Sequence, residues 1–368
     1  MIEIFNEPKS RPVSAYNNCV LEFRVTDNTP VKAVVTINGF PFDRAPSPTG
    51  DFYFEFKKIA ATLINQDHFS DKTEITDNRK YLIHDSHLHL ELNIEVCVKM
   101  IDGTEQIKEL KYSLIKSVDQ IVRKKVSNIA DGKIKLLIPN SDKTSRVTYF
   151  EGLPFDFSIY SDQDREVTIT NAGNSIELNL KKGVNRLFVS NGENDNKGFE
   201  YDLPLHLGVN ELEIKINGST YVTLFLKKIQ ACSGKYIKYF NQSGGWSYFR
   251  FKRLHKEKLK TKGYKTINKG FDNIENITSN RSMIGFEAEG EHLVSTGKIE
   301  AYERDQIKQL YTSPMVQLYM NENFQRFSIS DFAQVKLSNN NINILSKSMD
   351  FGNMVLSYSL PKMYTQKL

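Results

Sequence analysis

Gly234-Lys-Tyr-Ile-Lys-Tyr-Phe-Asn-Gln-Ser-Gly-Gly-Trp-Ser-Tyr-Phe-Arg-Phe251 sets seven aromatic residues around an Asn-Gln-Ser-Gly-Gly break and holds the only tryptophan of the chain, Trp246. It reads as an aromatic β-hairpin. Tyr236, Tyr239 and Phe240 precede the break, and Trp246, Tyr248, Phe249 and Phe251 follow it, so strand alternation puts rings on both faces. Two faces of rings need two covers. One is the domain's own core, and the other is a neighbouring element or a second subunit, because Tyr and Trp bury large area while keeping a polar tip. The hairpin is therefore expected at or near a subunit contact, with burial inside one domain as the alternative.

Directly after the hairpin, Lys252 to Lys269 carries Lys252, Arg253, Lys256, Lys258, Lys260, Lys262, Lys265 and Lys269 against one acid, Glu257. The basicity is local: residues 231–270 sum to +10, while the whole chain is only +5. Three readings apply to this run. It is a solvated mobile loop, or it docks on an acidic protein surface, with Glu287, Glu289 and Glu291 of a sister copy as the candidate, or it grips phosphates. Nucleic-acid readers add stacking rings or a helix with a defined face, and the run offers only Tyr264, so nucleic acid is the least favoured.

A chain of 368 residues is long for one core and divides most simply into three domains. Residues 1–117 alternate as short strands at 19–25, 31–37, 51–56, 89–100 and 107–115, punctuated by Pro and Gly, which is the pattern of a β-sandwich. A short helix fits around Lys57–Asn65. Residues 118–229 form a second sandwich, marked by a repeat, LKKGVNRLFVSNG at 180–192 against LHLGVNELEIKING at 205–218, read as one turn used twice in adjacent hairpins. Asn171-Ala-Gly-Asn174 and Asn217-Gly218 are further turns. Residues 230–368 form a β-rich module with one short helix at about Ala301–Leu310, stopped near Ser313-Pro314, and strands at 315–320, 324–330, 333–338 and 354–360. The fold class is mainly β, serial antiparallel sandwiches followed by a β-rich C-terminal module.

No apolar run approaches the roughly 20 residues that a spanning helix requires, so membrane insertion is not expected. The N-terminal MIEIFNEPKSRPVSAY lacks a basic start followed by an apolar segment, so synthesis in the cytoplasm without a secretory signal is the expectation. Cys19, Cys97 and Cys232 lie far apart and form no CxxC pair, and are read as buried small hydrophobes. His84, His87 and His89 are the only dense group of metal-ligand types, with His87 and His89 on one strand face; a polar turn is favoured over a metal. Asp162-Gln163-Asp164 lacks the Gly and distal Glu of a calcium loop. Neither a catalytic nor a cofactor motif is present, so no enzyme activity and no cofactor are expected.

Several phrases resemble a known family. Pro12-Val-Ser-Ala-Tyr16-Asn17-Asn18 with Gly50-Asp-Phe-Tyr-Phe-Glu-Phe56 is similar to the start of structural proteins of tailed bacteriophages that infect Bacteroidetes, including crAss-like phages, although Asn18 stands where that family commonly has Pro. Tyr236 to Phe249 resembles the same proteins' aromatic-Leu-Asn-x-x-Gly-Gly-aromatic phrase. Ser295 to Glu303 with Leu310 to Leu318 looks like their helix leading into a Leu-x-x-Ser-x-x-Val strand. The resemblance implies a non-enzymatic virion component, of the distal tail, tail tip, baseplate or connector ring, assembled with copies of itself and other tail proteins. Tyr236, Tyr239, Phe240, Trp246, Tyr248, Phe249, the lysines 252–262 with Arg253, and Glu287, Glu289 and Glu291 are the expected interface residues. The rivals are a surface glycan-binding or adhesin-like string of sandwiches, and a glycan-active enzyme with an acid pair held across a cleft.

Overall fold

The alternating runs of the first 117 residues meet in a core of their own. The computed structural model describes residues 1–9, 11–75, 80–118, 134–139, 145–192, 197–263, 266–268, 281–320, 331–338 and 354–362. A three-stranded antiparallel sheet (Ile2–Asn6, Val20–Val25, Phe52–Glu55) faces a five-stranded one ordered Val13–Ser14, Glu105–Ile115, His89–Met100, Pro30–Ile37, Phe40–Arg44. Their inward positions, among them Leu21, Phe23, Phe52, Phe54, Val35, Ile37, Leu92, Ile94 and Val96, form one buried cluster. The helix Lys57–Ile64 buries Ala60 and Ile64 against it.

The second module is also a sandwich. One sheet is ordered Ile134–Leu136, Pro154–Ser161, Gly183–Asn191, Leu82–His84, and the other Arg146–Phe150, Ser219–Ile229, Gly208–Ile216, Arg165–Asn171, Asn174–Leu180. The repeated Gly-Val-Asn turns have one geometry. Gly183 and Gly208 sit at φ of 104° and 105°, a left-handed conformation that glycine adopts without steric cost. Asn185 Oδ1 accepts from Lys181 N at 3.0 Å and its Nδ2 donates to Lys181 O at 2.7 Å; Asn210 repeats this with His206 at 3.0 and 2.8 Å. Each side chain thus closes the loop before its strand. The two strands that follow lie in different sheets, so the copies begin facing strands of the sandwich and not adjacent hairpins, as the repeat alone suggests.

The boundary at 117 is crossed by the segment 67–88. Leu82–His84 pairs with Gly183–Asn191 as the edge of a second-module sheet, and Ile75, Tyr81 and Leu88 join that module's core. The third module shares this core outright: Tyr236 to Phe251, the helix Ala301–Leu310 and the strands Val316–Tyr319 and Val355–Ser359 are continuous with it. The expected strand at 324–330 lies outside the described residues. Cys19 is buried, but Cys97 is half-buried on an outward-facing strand position and Cys232 is exposed, so only one of the three fits the reading as a packed small hydrophobe.

An ionic cluster sits where the three modules meet. Arg186, with no exposed surface, donates from Nε and Nη2 to both oxygens of Asp156 at 2.9 Å and from Nη1 to Asp71 at 2.6 Å. Lys238 of the hairpin donates to the other oxygen of Asp71, and Tyr248 donates to Asp156. Asp85 stands 3.6 Å from Arg186. The Lys238 ammonium also lies over the rings of Trp246 and Phe332, at 4.6 and 4.9 Å from their centroids. Burial is the largest influence on Asp71 and opposes its ionisation, but Arg186 and Lys238 outweigh it and hold the carboxyl well below the usual carboxylate range.

Two outcomes are expected. Asn210→Ala and Asn185→Ala each remove a buried side chain that satisfies backbone groups on both sides of a turn, and each should lower stability in urea by about 2 kcal/mol; a loss under about 0.5 kcal/mol would contradict the role given to the turn. Asp71→Asn leaves buried cations short of a countercharge and should cost about 3–5 kcal/mol near neutral pH. A carboxyl depressed in the fold stabilises fully above its unfolded value and loses that contribution as pH falls toward its folded value. The stability gap between wild type and Asp71→Asn should accordingly stay flat from neutral pH to about pH 5 and shrink below about pH 4.

Candidate functional site: a charged two-stranded arm

Both faces of the aromatic hairpin are covered inside the chain. Lys235–Phe240 pairs with Trp246–Phe251 in the register Tyr236↔Arg250, Lys238↔Tyr248, Phe240↔Trp246. On that face Tyr248 meets Phe155 of the second sandwich at 5.5 Å between ring centroids, and Phe240 meets Phe69 at 5.2 Å. On the other face the Tyr239 hydroxyl donates to Gln306 O of the second helix at 2.9 Å. Tyr236, Tyr239, Phe240, Trp246, Tyr248 and Phe249 are all buried, so these rings form no exposed face for a neighbouring subunit, and one of the six, Phe249, lines a cavity. The second cover is the neighbouring module of the same chain, which corrects the expectation of a subunit contact.

The Gly-Gly of the break has a local cause. A Cβ on Gly245 would lie 2.4 Å from Leu137 O, and Asn241 Nδ2 donates to that same oxygen at 3.1 Å. Gln242 O accepts from Val118 N at 2.8 Å. The turn therefore docks on Val118, Leu137 and Ile138. The phrase that carries the family resemblance is, in this chain, the fastening between modules.

The basic run is a strand, not a loop. Arg253–Gly263 pairs antiparallel with Phe286–Ser295, setting Lys258 opposite Glu291, Lys260 opposite Glu289 and Lys262 opposite Glu287. The acidic partner expected from a sister copy is thus the same chain. Lys256, Lys258, Lys260 and Lys262 occupy alternate positions and share one face. Lys260 pairs with Glu291 at 3.0 Å, and this hydrogen bond holds the Glu291 carboxyl below its usual range. Glu287 is matched by Lys362 at 2.9 Å, and Glu257 by His292 at 2.8 Å. Lys256, Lys258 and Lys262 are exposed and have no ion pair among the described residues.

Val355–Ser359 flanks Phe286–Ser295 only along Glu291 to Ser295, with Leu360 N donating to Gly290 O at 3.0 Å. Beyond Gly290 the ribbon is two-stranded among the described residues, where Lys260–Gly263 pairs with Phe286–Glu289; Thr266–Asn268 with Arg281–Met283 forms a separate two-stranded ladder. At about 3.3 Å per residue the stretch Lys260–Gly263 runs roughly 13 Å. Leu259 and Phe286 on its other face are 62% and 47% exposed, a large apolar investment for surface positions. Tyr264, Lys265 and Lys269 lie outside the described residues, and of the Arg253 side chain nothing is described.

His84 and His89 come together over Gly183, where a Cβ would lie 2.7 Å from His89 Nδ1 and 3.2 Å from His84 Cε1, while the His87 ring turns to Asp67. His87 sits in the 3-10 turn Ser86–Leu88, whose Asp85 carboxylate accepts from His87 N at 3.1 Å, and its ring pairs with Asp67. His89 begins the next strand, bonded through Nε2 to Ser113 Oγ at 2.7 Å, so the shared strand face expected for His87 and His89 is broken by the turn. Burial pushes the His89 imidazole down to about 4, which keeps it neutral. His84 lies on the edge strand Leu82–His84. Among the described residues no three His, Cys, Asp or Glu are placed to hold a metal. Asp162 pairs with Arg165, while Asp164 accepts from Lys182 N at 2.8 Å and Lys181 Nζ at 3.0 Å, so both carboxylates serve turns.

No protein-family model and no curated protein matches the chain. Among solved structures it is similar to one concerned with host cell surface retention of a 1.5-MDa bacterial ice-binding adhesin, at 10% identity and a TM-score of 0.19 over 81% of this chain and 92% of the other. Domains A168-A170 from titin give 10% identity and a TM-score of 0.26 over 79% and 92%. SGBP-B of the Bacteroides ovatus mixed-linkage glucan utilization locus, in complex with a mixed-linkage heptasaccharide, gives 10% identity and 0.17 over 70% and 85%. TM-scores this low do not establish a shared fold, and no function transfers from them.

Proposed function

We propose that this chain is a non-enzymatic structural subunit of a bacteriophage virion, placed in the tail tip, baseplate or connector ring, where it contacts copies of itself and other tail proteins. The arm is the observation that carries this reading. A two-stranded ribbon is marginally stable alone in water, and the hairpin that ends in this one leaves Lys256, Lys258 and Lys262 without an ion pair among the described residues on one face and Leu259 and Phe286 exposed on the other. Such a ribbon gains most from a neighbour with acidic surface. A contact between an arm and a different surface of the next copy is heterologous, and repetition closes it into a ring where the rotation allows. The resemblance of the phrases at 12–18, 236–249 and 295–318 to tail proteins of Bacteroidetes phages points the same way.

The rival reading is a surface glycan-binding or adhesin-like protein, for which serial sandwiches are the common ground. Here the second and third modules share one core, so they are not independent beads on a string.

Electron microscopy of the purified full chain separates the readings. Closed rings are expected for wild type, lost or slowed in the triple variant Lys256→Gln, Lys258→Gln, Lys262→Gln, with the melting temperature changed by no more than a degree or two, because those side chains are exposed and have no ion pair among the described residues. Ring assembly should weaken as salt rises. A monomer at every concentration that is captured by immobilised glycan would overturn the tail reading. Tight retention on DNA that disappears in the same triple variant would reassign the arm to nucleic acid.

A further inference from the structure

A cavity of about 350 Å³ lies between the second sandwich, the outer face of the aromatic hairpin and the start of the helix Ala301–Leu310. Its floor is apolar, formed by Phe150, Phe249 and Ile299, each at most 3% exposed. Its rim carries Lys227, Lys252 and Lys298. Two carboxylates also line it, but both are committed elsewhere. Glu300 and Glu303 form the reciprocal capping box of the helix, Lys227 pairs with Glu300, and Glu303 also accepts from Thr148 Oγ1 at 2.9 Å. Lys252 and Lys298 are exposed, and neither has an ion pair among the described residues. Two lysines without an ion pair among the described residues therefore line the same cavity as two rings.

We propose that this cavity binds a carboxylate carried on an aromatic body, the ring seated on Phe150 and Phe249 and the carboxylate between Lys252 and Lys298. Each half of such a ligand answers one half of the site. The rings of the floor offer faces and edges to a ligand ring, and a charge-assisted bond from an ammonium is stronger than a neutral one. The amides of Glu300 and Glu303 do not contribute, because the capping box already satisfies both. The inference is independent of the tail reading, since a free aromatic acid and an acidic-aromatic segment of a protein carry the same pair of groups.

Titration calorimetry on the full chain tests it with phenylacetate and with its neutral isostere phenylacetamide. Phenylacetate is expected to bind with a Kd of roughly 1 mM, the range open to so small a ligand, and the amide at least about tenfold more weakly. Lys252→Gln with Lys298→Gln should weaken phenylacetate by about tenfold or more while leaving the melting temperature in place. A blocked Asp-Phe dipeptide separates the sources: tighter binding than phenylacetate assigns the site to a protein segment, and weaker binding to a free acid. Absence of phenylacetate binding in the tens of millimolar, equal binding of the amide, or equal binding by the double variant would each overturn the proposal.

Discussion

A guanidinium with no exposed surface has to be answered by charge, and in this chain the answer comes from three directions. Arg186 stands in a strand of the second sandwich, Asp156 in the strand beside it, Asp71 in the crossing segment from the first module, and Lys238 arrives from the third to share Asp71. Removing an arginine from water costs several kcal/mol, which bidentate geometry and a second carboxylate offset only if every member is in place. Such a cluster adds little net stability over a packed apolar one. What it contributes is register, because a hairpin shifted by one residue would turn Lys238 away from Asp71 and bring Tyr239 toward it.

That constraint fixes what lies downstream. Once Lys238 and Tyr248 are held, the rings of their face meet Phe155 and Phe69, the opposite face meets the helix, and the Gly-Gly turn reaches Leu137. The strand leaving Phe251 then begins the charged arm. The arm is thus launched from a buried hairpin, which suits a ribbon that must reach a neighbour in a defined direction. The cavity beside it, floored by Phe249 of the same hairpin, inherits the same rigidity.

Much of this was legible in the sequence wherever the signal is local. Alternation located the strands of the first sandwich, the short helices fell where spacing and Pro placed them, and the Gly-Val-Asn repeat marked a turn whose side-chain bonds recur at both sites. Long-range pairing was not legible. The rings of Tyr236 to Phe251 look like an interface because composition does not say which surface covers them, and the cover includes Pro154 and Phe155, more than 80 residues earlier. The lysines at 256–262 and glutamates at 287–291 were visible as complementary, but only the strand register shows that they face each other in one chain. Asp71, an unremarked acid between Ser70 and Lys72, carried no sequence signal of its role, since isolated aspartates in polar segments are usually solvated.

Native-state hydrogen exchange, read by mass spectrometry on segments covering 183–191 and 235–251, tests most directly the claim that one ionic junction binds the second and third modules into a single cooperative body. Both segments should exchange through the same opening, with equal free energies that share one denaturant slope. In Lys238→Met the two values should fall together. Opening of 235–251 at a distinctly lower free energy than 183–191 in the wild-type protein would show that the hairpin module unfolds by itself, and would contradict the account.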